Sequence, residues 1–231
     1  MSKVTDIVVT TRNRPHYLRK TLAHIFERTR SPHLVHVIDD ASTDDTNEYL
    51  RGLLKENKIA NLLTRGVRAG QMANLNVGAW LACSDPVVLV DDDILCPDVE
   101  PDWLSRGLEV MKHDKGLGIL ALNHPGAVRR TIETNGRITY CRYVGGTFMF
   151  VRRALLLSHP LPHYHDNFGV TPTVQRCNKA RSAGLKIGYL TDTYCYHIGL
   201  TSAITGGKPY GGRDIVPVDW KTLEPPEGWC K

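Results

Sequence analysis

The chain has 231 residues, of which 42% are hydrophobic and 23% charged, so it can bury a substantial core and is neither a disordered nor a fibrous chain. Its apolar runs are far shorter than the ~20 residues that cross a bilayer, and its N-terminus lacks the apolar core of a signal peptide, so we expect a cytoplasmic protein with no transmembrane segment. The formal net charge of +5 is compatible with a phosphate-bearing ligand or a nucleic acid but requires neither.

The first 125 residues alternate short apolar strands with amphipathic helices. Strands are predicted at Asp6–Thr11, Leu34–Asp39, 58–63, Val87–Val90 and Leu117–Leu122. Helices are predicted from Pro15 to Arg28, from a capping-box-like start at Ser42 to Leu54, at Gln71–Ala82 and at Trp103–His113. Such alternation predicts an α/β fold with a mostly parallel central sheet flanked by helices.

The second half is less regular. A hairpin over Thr131–Tyr143 is predicted to turn at Asn135-Gly136, and Gly145–Leu156 reads as a strand followed by a helix. A helix over Pro172–Ala183 and a strand at 185–190 follow. We therefore expect a small antiparallel hairpin beside the parallel strands, and then a flexible tail rich in Gly and Pro.

Acidic residues follow two of the predicted strands directly. Asp39 and Asp40 end the second strand, and Asp91, Asp92 and Asp93 end the fourth. Ligands of open α/β sheets bind beyond the carboxyl ends of the strands. Because three adjacent carboxylates repel one another and are costly to bury unpaired, the triplet favours a cation site.

Three common nucleotide- or cation-binding motifs are missing from the sequence. The first strand runs into RNRPHY, which lacks the glycines of a Rossmann dinucleotide loop, and no GxxxxGK[ST] phosphate loop occurs. The segment DDDILCPD lacks the glycine and terminal glutamate of an EF-hand. A protein without a glycine-rich phosphate loop can still hold a diphosphate through a divalent cation, and closely spaced carboxylates at a strand end supply oxygen ligands for one.

Several segments, in order, resemble family-2 glycosyltransferases of the GT-A fold: DIVVTTRNRPHYLRKTL, VIDDASTDDT, VVLVDDDILCPD, GGTFMFVRRALL, HYHDNFG and YCYHIG. The resemblance covers roughly residues 4 to 200. It implies a single GT-A-type domain over residues 1–200, with a nucleotide-sugar half at about 1–100 and an acceptor half at about 101–200. Residues 201–231 would form a tail and a candidate lid.

The resemblance also implies donor-binding roles. Asp40 corresponds to the acid that reads the base, with Asp39 beside it, and the base and ribose pocket is lined by Thr10, Thr11 and Arg12. Asn76 falls in the family's Arg-Asn-x-Gly motif, but Leu75 replaces the arginine, and we expect Arg68 to substitute for it.

The catalytic and metal roles are implied in the same way. Asp91 and Asp92 would face the ribose and the waters of the metal, Asp93 would bind the metal directly, and His197 would complete its shell. Asp166 would be the general base, although His165 stands where the family usually has Glu and His163 is a competing base.

The expected chemistry is a metal-dependent, inverting transfer of a hexose. A divalent cation neutralises the charge that grows on a nucleoside diphosphate as it leaves. Carboxylate oxygens suit Mg²⁺ or Mn²⁺, and an imidazole favours Mn²⁺. One carboxylate suffices to take the proton of the acceptor hydroxyl. The family suggests a UDP-sugar donor and a saccharide or glycan acceptor, and modified nucleic acid remains an alternative acceptor.

Two other classes of protein stay open. A catalytically silent nucleotide-sugar or carbohydrate-binding module would keep Asp40 and Asp91–Asp93 without needing Asp166. A sugar nucleotidyltransferase would need a glycine-rich, arginine-containing loop after the first strand, and TTRNRPHY is not such a loop. The sequence leaves the oligomeric state open.

Overall fold

The computed structural model describes residues 4–123, 131–158 and 172–199. In these ranges the helices are α1 (Pro15–Arg28), α2 (Thr46–Lys55), α3 (Gln71–Leu81), α4 (Trp103–His113), α5 (Arg153–Ser158) and α6 (Pro172–Ser182). The strands are β1 (Thr5–Thr11), β2 (His33–Asp39), β3 (Asn61–Thr64), β4 (Val87–Asp91), β5 (Ile94–Leu95), β6 (Leu117–Asn123), β7 (Thr131–Asn135), β8 (Ile138–Cys141), β9 (Phe148–Val151), β10 (Lys186–Tyr194) and β11 (Tyr196–His197).

Nine of the described strands form one sheet in the order β3-β2-β1-β4-β9-β6-β10-β8-β7. The four strands β3, β2, β1 and β4 are mutually parallel. Strand β9 is antiparallel to both of its neighbours, β4 and β6. The carboxyl end of β4 therefore lies beside the beginning of β9, and this junction carries the candidate site.

Helices cover both faces of the sheet, because the strand residues alternate between two cores. Ile7 and Val9 of β1 pack with α1, α2 and α4, whereas Val8 packs with α3. Strand β4 divides in the same way, with Val88 and Val90 on the first face and Val87 and Leu89 on the second. Fully apolar strands of this kind are typical of a sheet that is buried on both sides.

The α/β fold class predicted from the sequence is confirmed, with three corrections. The sheet is mixed rather than mostly parallel, since β9 and the β7–β8 hairpin join it in antiparallel pairings. Helix α2 begins after Asp45, not at Ser42, whose hydroxyl instead donates a hydrogen bond to Asp39. Strand β3 is shorter than predicted and begins at Asn61.

The predicted hairpin turn is confirmed, and Gly136 adopts a φ of 57° there, a conformation that glycine takes without steric cost. No helix in the described ranges is long and apolar enough to cross a membrane. Asp166 and the tail at residues 201–231 lie outside the described residues.

Candidate active site at the carboxyl end of strand β4

The three consecutive aspartates lie where β4 leaves the sheet. Asp91 pairs in register with Thr10 of β1, and its backbone N–H donates to the carbonyl oxygen of Thr147 at 2.9 Å. Asp92 and Asp93 are only 4% and 3% exposed, respectively. The structure thus buries two adjacent carboxylates at an edge where ligands of α/β proteins bind.

Arg14 forms ion pairs with both buried carboxylates. Its Nη1 lies 2.9 Å from Asp92 Oδ1, and its Nη2 lies 2.6 Å from Asp93 Oδ2. Arg14 directly precedes α1, where Pro15 fixes the first turn of the helix. No role was predicted for this arginine from the sequence, although it lies within the RNRPHY segment that follows β1.

His197, near the end of the last described range, contacts the carboxylate of Asp93. Strands β5 and β11 form a two-stranded antiparallel sheet in which His197 pairs with Ile94, and the Ile198 N–H donates to the Asp93 carbonyl oxygen at 2.9 Å. This pairing places His197 Nε2 3.1 Å from Asp93 Oδ2. Two strands of only two residues, which the sequence did not predict, therefore bring His197 to Asp93 across about a hundred residues of chain.

Neutral donors complete the contacts of the triplet. The Thr11 hydroxyl donates to Asp92 Oδ2 at 2.6 Å, and the Gln71 side-chain amide donates to Asp91 Oδ1 at 2.7 Å. Gln71 is the first residue of α3 and was not singled out from the sequence. Its contact follows from the packing of α3 against β1, where Gly78 allows an approach that a Cβ would block by colliding with Val8.

Burial and the charges in this cluster shift the pKa values of the three carboxyl groups in different directions. Burial and the like charges of Asp93 and Asp92 raise the pKa of Asp91 well above its usual range. Burial also raises the pKa of Asp92, against the attraction of Arg14. The pKa of Asp93 is lowered, since the contacts with His197 and Arg14 outweigh its burial, and the same contact with Asp93 raises the pKa of His197. The cluster therefore disfavours three simultaneous negative charges unless further positive charge arrives.

The residues fit a hard divalent cation in donor chemistry, although their present arrangement is not that of a metal site. In the described ranges, no group of three or more His, Cys, Asp and Glu side chains is spaced to hold a metal ion. However, Asp93 Oδ1 is buried without a hydrogen-bond partner among the described residues, which leaves one carboxylate oxygen available to a ligand. Gly199 closes over the same carboxylate so tightly that a Cβ there would collide with Asp93 Oδ2.

The predicted base-binding acids lie on the neighbouring strand. Asp39 ends β2 in register with Thr11, and the Asp40 backbone N–H donates to the Thr11 carbonyl oxygen at 2.9 Å. The Asp40 carboxylate accepts the backbone N–H groups of Ala69 at 2.7 Å and Gly70 at 2.9 Å. Asp40 thereby holds the loop that leads into α3.

Asp39 is fully buried and accepts hydrogen bonds from Ser42 and from the Asn47 side chain. The structure thus gathers Thr10, Thr11, Asp39, Asp40 and Asp91–Asp93 along one edge of the sheet.

The remaining predicted donor residues lie around this edge. The Arg12 backbone N–H hydrogen-bonds to Asp92 and helps to offset the effect of burial on the pKa of Asp92, and Arg12 Nε is buried without a partner in the described part of the chain. Arg68 is exposed on the loop between β3 and α3, and Asn76 is half-buried in the second turn of α3. The contact to the triplet from α3 is made by Gln71.

Comparisons with known proteins place this arrangement in a class. The Mn²⁺ complex of the mannosyltransferase PcManGT from Pyrobaculum calidifontis with GDP-Man superposes with a TM-score of 0.68 at 20% identity, covering 84% of this chain and 56% of that one. S. aureus TarS has a TM-score of 0.64 at 18% identity and 86% coverage of this chain. GalNAc-T7 with UDP, GalNAc and Mn²⁺ has a TM-score of 0.67 at 15% identity and 85% coverage. Among curated proteins, none matches the sequence significantly.

These similarities show the GT-A fold. Residues 6–169 match the family described as glycosyl transferase family 2, which is more than half of the chain. The chain belongs to glycosyl transferase family 2. It spans only 37% of the TarS chain, 56% of PcManGT and 44% of GalNAc-T7.

Proposed function

We propose that the protein transfers a sugar from a nucleotide-diphosphate donor, a UDP-sugar by preference, to an acceptor hydroxyl with inversion at the anomeric carbon. The observation that carries the proposal is the buried carboxylate pair Asp92–Asp93 beside Asp91, at the carboxyl end of β4 in a family-2 glycosyltransferase. Related folds bind UDP-GlcNAc in TarS, GDP-Man in PcManGT and UDP in GalNAc-T7. The proposed acceptor is a saccharide or glycan.

The proposed cofactor is Mn²⁺, with Mg²⁺ as the alternative. Asp93 would hold it through Oδ1, which lacks a partner in the described part of the chain, and His197 would supply a nitrogen ligand next to it. When bound, such an ion neutralises negative charge on the diphosphate as it leaves. We favour Mn²⁺ because a carboxylate oxygen together with an imidazole nitrogen suits this ion.

The residues on the β1 and β2 side of the triplet are proposed to hold the nucleoside. Asp39 and Asp40 end β2 beside Thr11, which itself touches Asp92, so a nucleoside lying across these strand ends meets hydrogen-bonding groups from base to ribose. We assign the base to Asp40 with Asp39 behind it, and the ribose to Thr10, Thr11, Arg12 and Asp91. Arg68 and Asn76 are proposed to approach from the α3 side.

The acceptor half, residues 101–200, is proposed to supply the general base. Asp166 lies outside the described residues, so its role rests on the motif in which it stands. A carboxylate in hydrogen-bond reach of the attacking hydroxyl removes its proton as the new bond forms, and this step is worth roughly 10²–10⁴ in rate. Direct displacement from the face opposite the diphosphate gives inversion.

The first test is a thermal-shift panel of UDP, GDP, CDP and TDP, each with and without Mn²⁺. A nucleotide at ~100 times its dissociation constant stabilises the native state by about 2.7 kcal/mol. We expect one nucleotide, with UDP favoured, to give a shift that needs Mn²⁺ and disappears in Asp93→Asn. Asp98→Asn is the matched control, because Asp98 lies on the same segment but is exposed and pairs with exposed Arg30. The absence of any nucleotide shift in wild type would refute the proposal.

A second test separates an enzyme from a silent binding module. Asp166→Asn should leave the nucleotide shift in place and reduce sugar transfer by at least about a hundredfold. Unchanged transfer would show that another group, such as His163, is the base.

A further inference from the structure

Arg176 is a buried arginine that the proposed chemistry does not use. It lies in α6, is 4% exposed, and its Nη2 has no hydrogen-bond partner in the described part of the chain. Burial lowers the pKa of Arg176 to about 10, which still leaves the guanidinium charged at neutral pH. A buried and incompletely paired guanidinium is costly, and buried charges are normally paired.

The position of α6 directs Arg176 towards the end of β4. Thr173 packs so closely over Gly146 that a Cβ on Gly146 would collide with its hydroxyl. The next residue, Thr147, accepts the backbone N–H of Asp91. Residues three apart share a helix face, so Arg176 lies one turn beyond Thr173 on the face that approaches Asp91. The charge of Asp91 accordingly acts on Arg176, raising its pKa against the effect of burial.

The positive charges around the triplet are unevenly placed. Arg14 and His197 pair directly with Asp92 and Asp93 on the α1 and β11 side. On the other side, Asp91 accepts the amide of Gln71, and no ion pair joins it to Arg176 among the described residues. Nη2 of Arg176, on the face of α6 that approaches Asp91, therefore has donor capacity that no described residue uses.

We propose that Arg176 binds the donor phosphate that carries the sugar. This inference rests on the glycosyl-transfer function proposed above. Arginine presents paired N–H donors that suit phosphate oxygens. Arg176 belongs to the half of the chain assigned to the acceptor, where sugar and acceptor meet, so it reaches the sugar end of the diphosphate rather than the nucleoside end. Nη2 of Arg176, which has no partner among the described residues, would be paired when the diphosphate enters.

The test compares Arg176→Gln with Arg181→Gln, which makes the same change on the same helix. Arg181 is exposed, hydrogen-bonds to Asn178 and lies over the Tyr143 ring at 5.0 Å. Calorimetric titrations with Mn²⁺ measure the affinities of each protein for the nucleoside diphosphate that wild type binds and for the corresponding monophosphate. Thermal melts without ligand measure the stability of each variant.

We expect Arg176→Gln to weaken diphosphate binding by about tenfold or more, the usual range for a lost charge-assisted hydrogen bond, and to leave the monophosphate affinity unchanged. Its melting temperature without ligand should equal or exceed that of wild type, because an incompletely paired buried charge has been removed. Arg181→Gln should change neither affinity. In Arg176→Lys, which keeps the charge but not the paired donors, diphosphate affinity should fall between wild type and Arg176→Gln.

Three results would overturn the inference. Equal diphosphate affinity in wild type and Arg176→Gln would exclude the contact while leaving the proposed function intact. A lower melting temperature with equal losses for both nucleotides would show that Arg176 only supports the fold. If wild type bound no nucleoside diphosphate at all, the proposed function would fail together with this inference.

Discussion

At the scale of single residues, Arg14 pairs with two of the three carboxylates of the triplet. Its guanidinium lies within hydrogen-bond distance of two buried carboxylates at once, and their charges raise its own pKa further against the effect of burial. In this structure Arg14 supplies the positive charge that Asp92 and Asp93 need. Arg14 and a metal ion would therefore share the task of neutralising the triplet.

Replacing Arg14 should destabilise the protein strongly. Arg14→Gln removes the guanidinium that pairs with two buried carboxylates, and we expect the free energy of unfolding to fall by about 3 kcal/mol. Added Mn²⁺ should recover part of the loss, because it brings new positive charge to the same carboxylates. Urea unfolding at pH 7, with and without Mn²⁺, measures both effects.

Arg19→Gln is the control for this experiment. Arg19 pairs with Asp45, and both side chains are about half exposed, so its loss should cost less than about 1 kcal/mol and should not respond to Mn²⁺. Equal losses in the two variants would contradict the role given to Arg14.

Gly199 is a second residue that shapes the site, because it has no side chain. A side chain there would enter the volume of the Asp93 carboxylate and approach the Arg14 guanidinium. Gly199→Ala should therefore abolish the Mn²⁺-dependent nucleotide shift and cost about 1–3 kcal/mol through overpacking. Thermal melts with and without nucleotide and Mn²⁺ measure the two effects separately.

Gly52→Ala is the matched substitution, because Gly52 lies in α2 and a Cβ added there would meet nothing within 4 Å. It should stabilise the protein by about 0.5–1 kcal/mol through helix propensity and should preserve the nucleotide shift. A Gly199→Ala protein that kept the full shift would show that the site tolerates displacement of Asp93.

At the scale of elements, Asp6 ties the start of β1 to two neighbouring segments. Its carboxylate lies 2.8 Å from His36 Nε2 on β2 and accepts the backbone N–H groups of Cys83 and Ser84, both at 2.7 Å, in the loop after α3. Burial opposes ionisation, but these hydrogen bonds outweigh it and lower the pKa of Asp6. The strand that leads to Thr10 and Thr11 is anchored by this carboxylate at its far end.

The stabilisation from Asp6 should depend on pH in one direction. Because the pKa of Asp6 is lower in the folded state than the ~3.9 of an unfolded Asp, its contribution is complete above about pH 4 and is lost as the pH falls through the folded value. We expect Asp6→Asn to reduce the free energy of unfolding by about 1–3 kcal/mol at pH 7. The difference from wild type should shrink below about pH 4.

Urea unfolding of both proteins between pH 7 and pH 3 measures this difference. If the difference in free energy of unfolding between the two proteins stayed constant across this range, the Asp6 carboxylate would contribute through its shape and not through its charge.

At the scale of the whole molecule, the first and second halves of the chain share one sheet. Strand β9, from the second half, lies between β4 and β6 and pairs with both. Each of the two cores also mixes the halves: Phe150 packs in the same core as Ile7, and Ile187 in the same core as Val8. Since neither half completes its own core, the chain does not divide into separate folding units at about residue 100.

We therefore expect a single cooperative unfolding transition. In calorimetry, the van't Hoff and calorimetric enthalpies should agree, as for a two-state domain. Two resolved transitions, one of them shifted by nucleotide and the other not, would show that the halves fold independently.

Much of the fold was predictable because local signals were strong. The apolar strands β1, β2, β4 and β6 and the amphipathic helices α1, α3 and α4 were placed within one or two residues, and Asn135-Gly136 marked the β7–β8 turn. The start of α2 was wrong because Ser42 and Asp45 form a plausible capping box, whereas the Ser42 hydroxyl bonds to Asp39 and accepts the Asn13 N–H. The sequence also missed β5 and β11, since two-residue strands carry no periodic signal.

The sequence by itself determined the fold class, the family resemblance and the place of the acidic residues, because apolar periodicity and acids at strand ends are local in the chain. The family resemblance had already assigned His197 to the same site as Asp93. Only the tertiary structure decided which other side chains meet those acids: Arg14 comes from the start of α1, Gln71 from α3 and Gly199 from the β11 segment. Contacts across so many residues depend on how helices and strands pack, and no local pattern in the sequence encodes that packing.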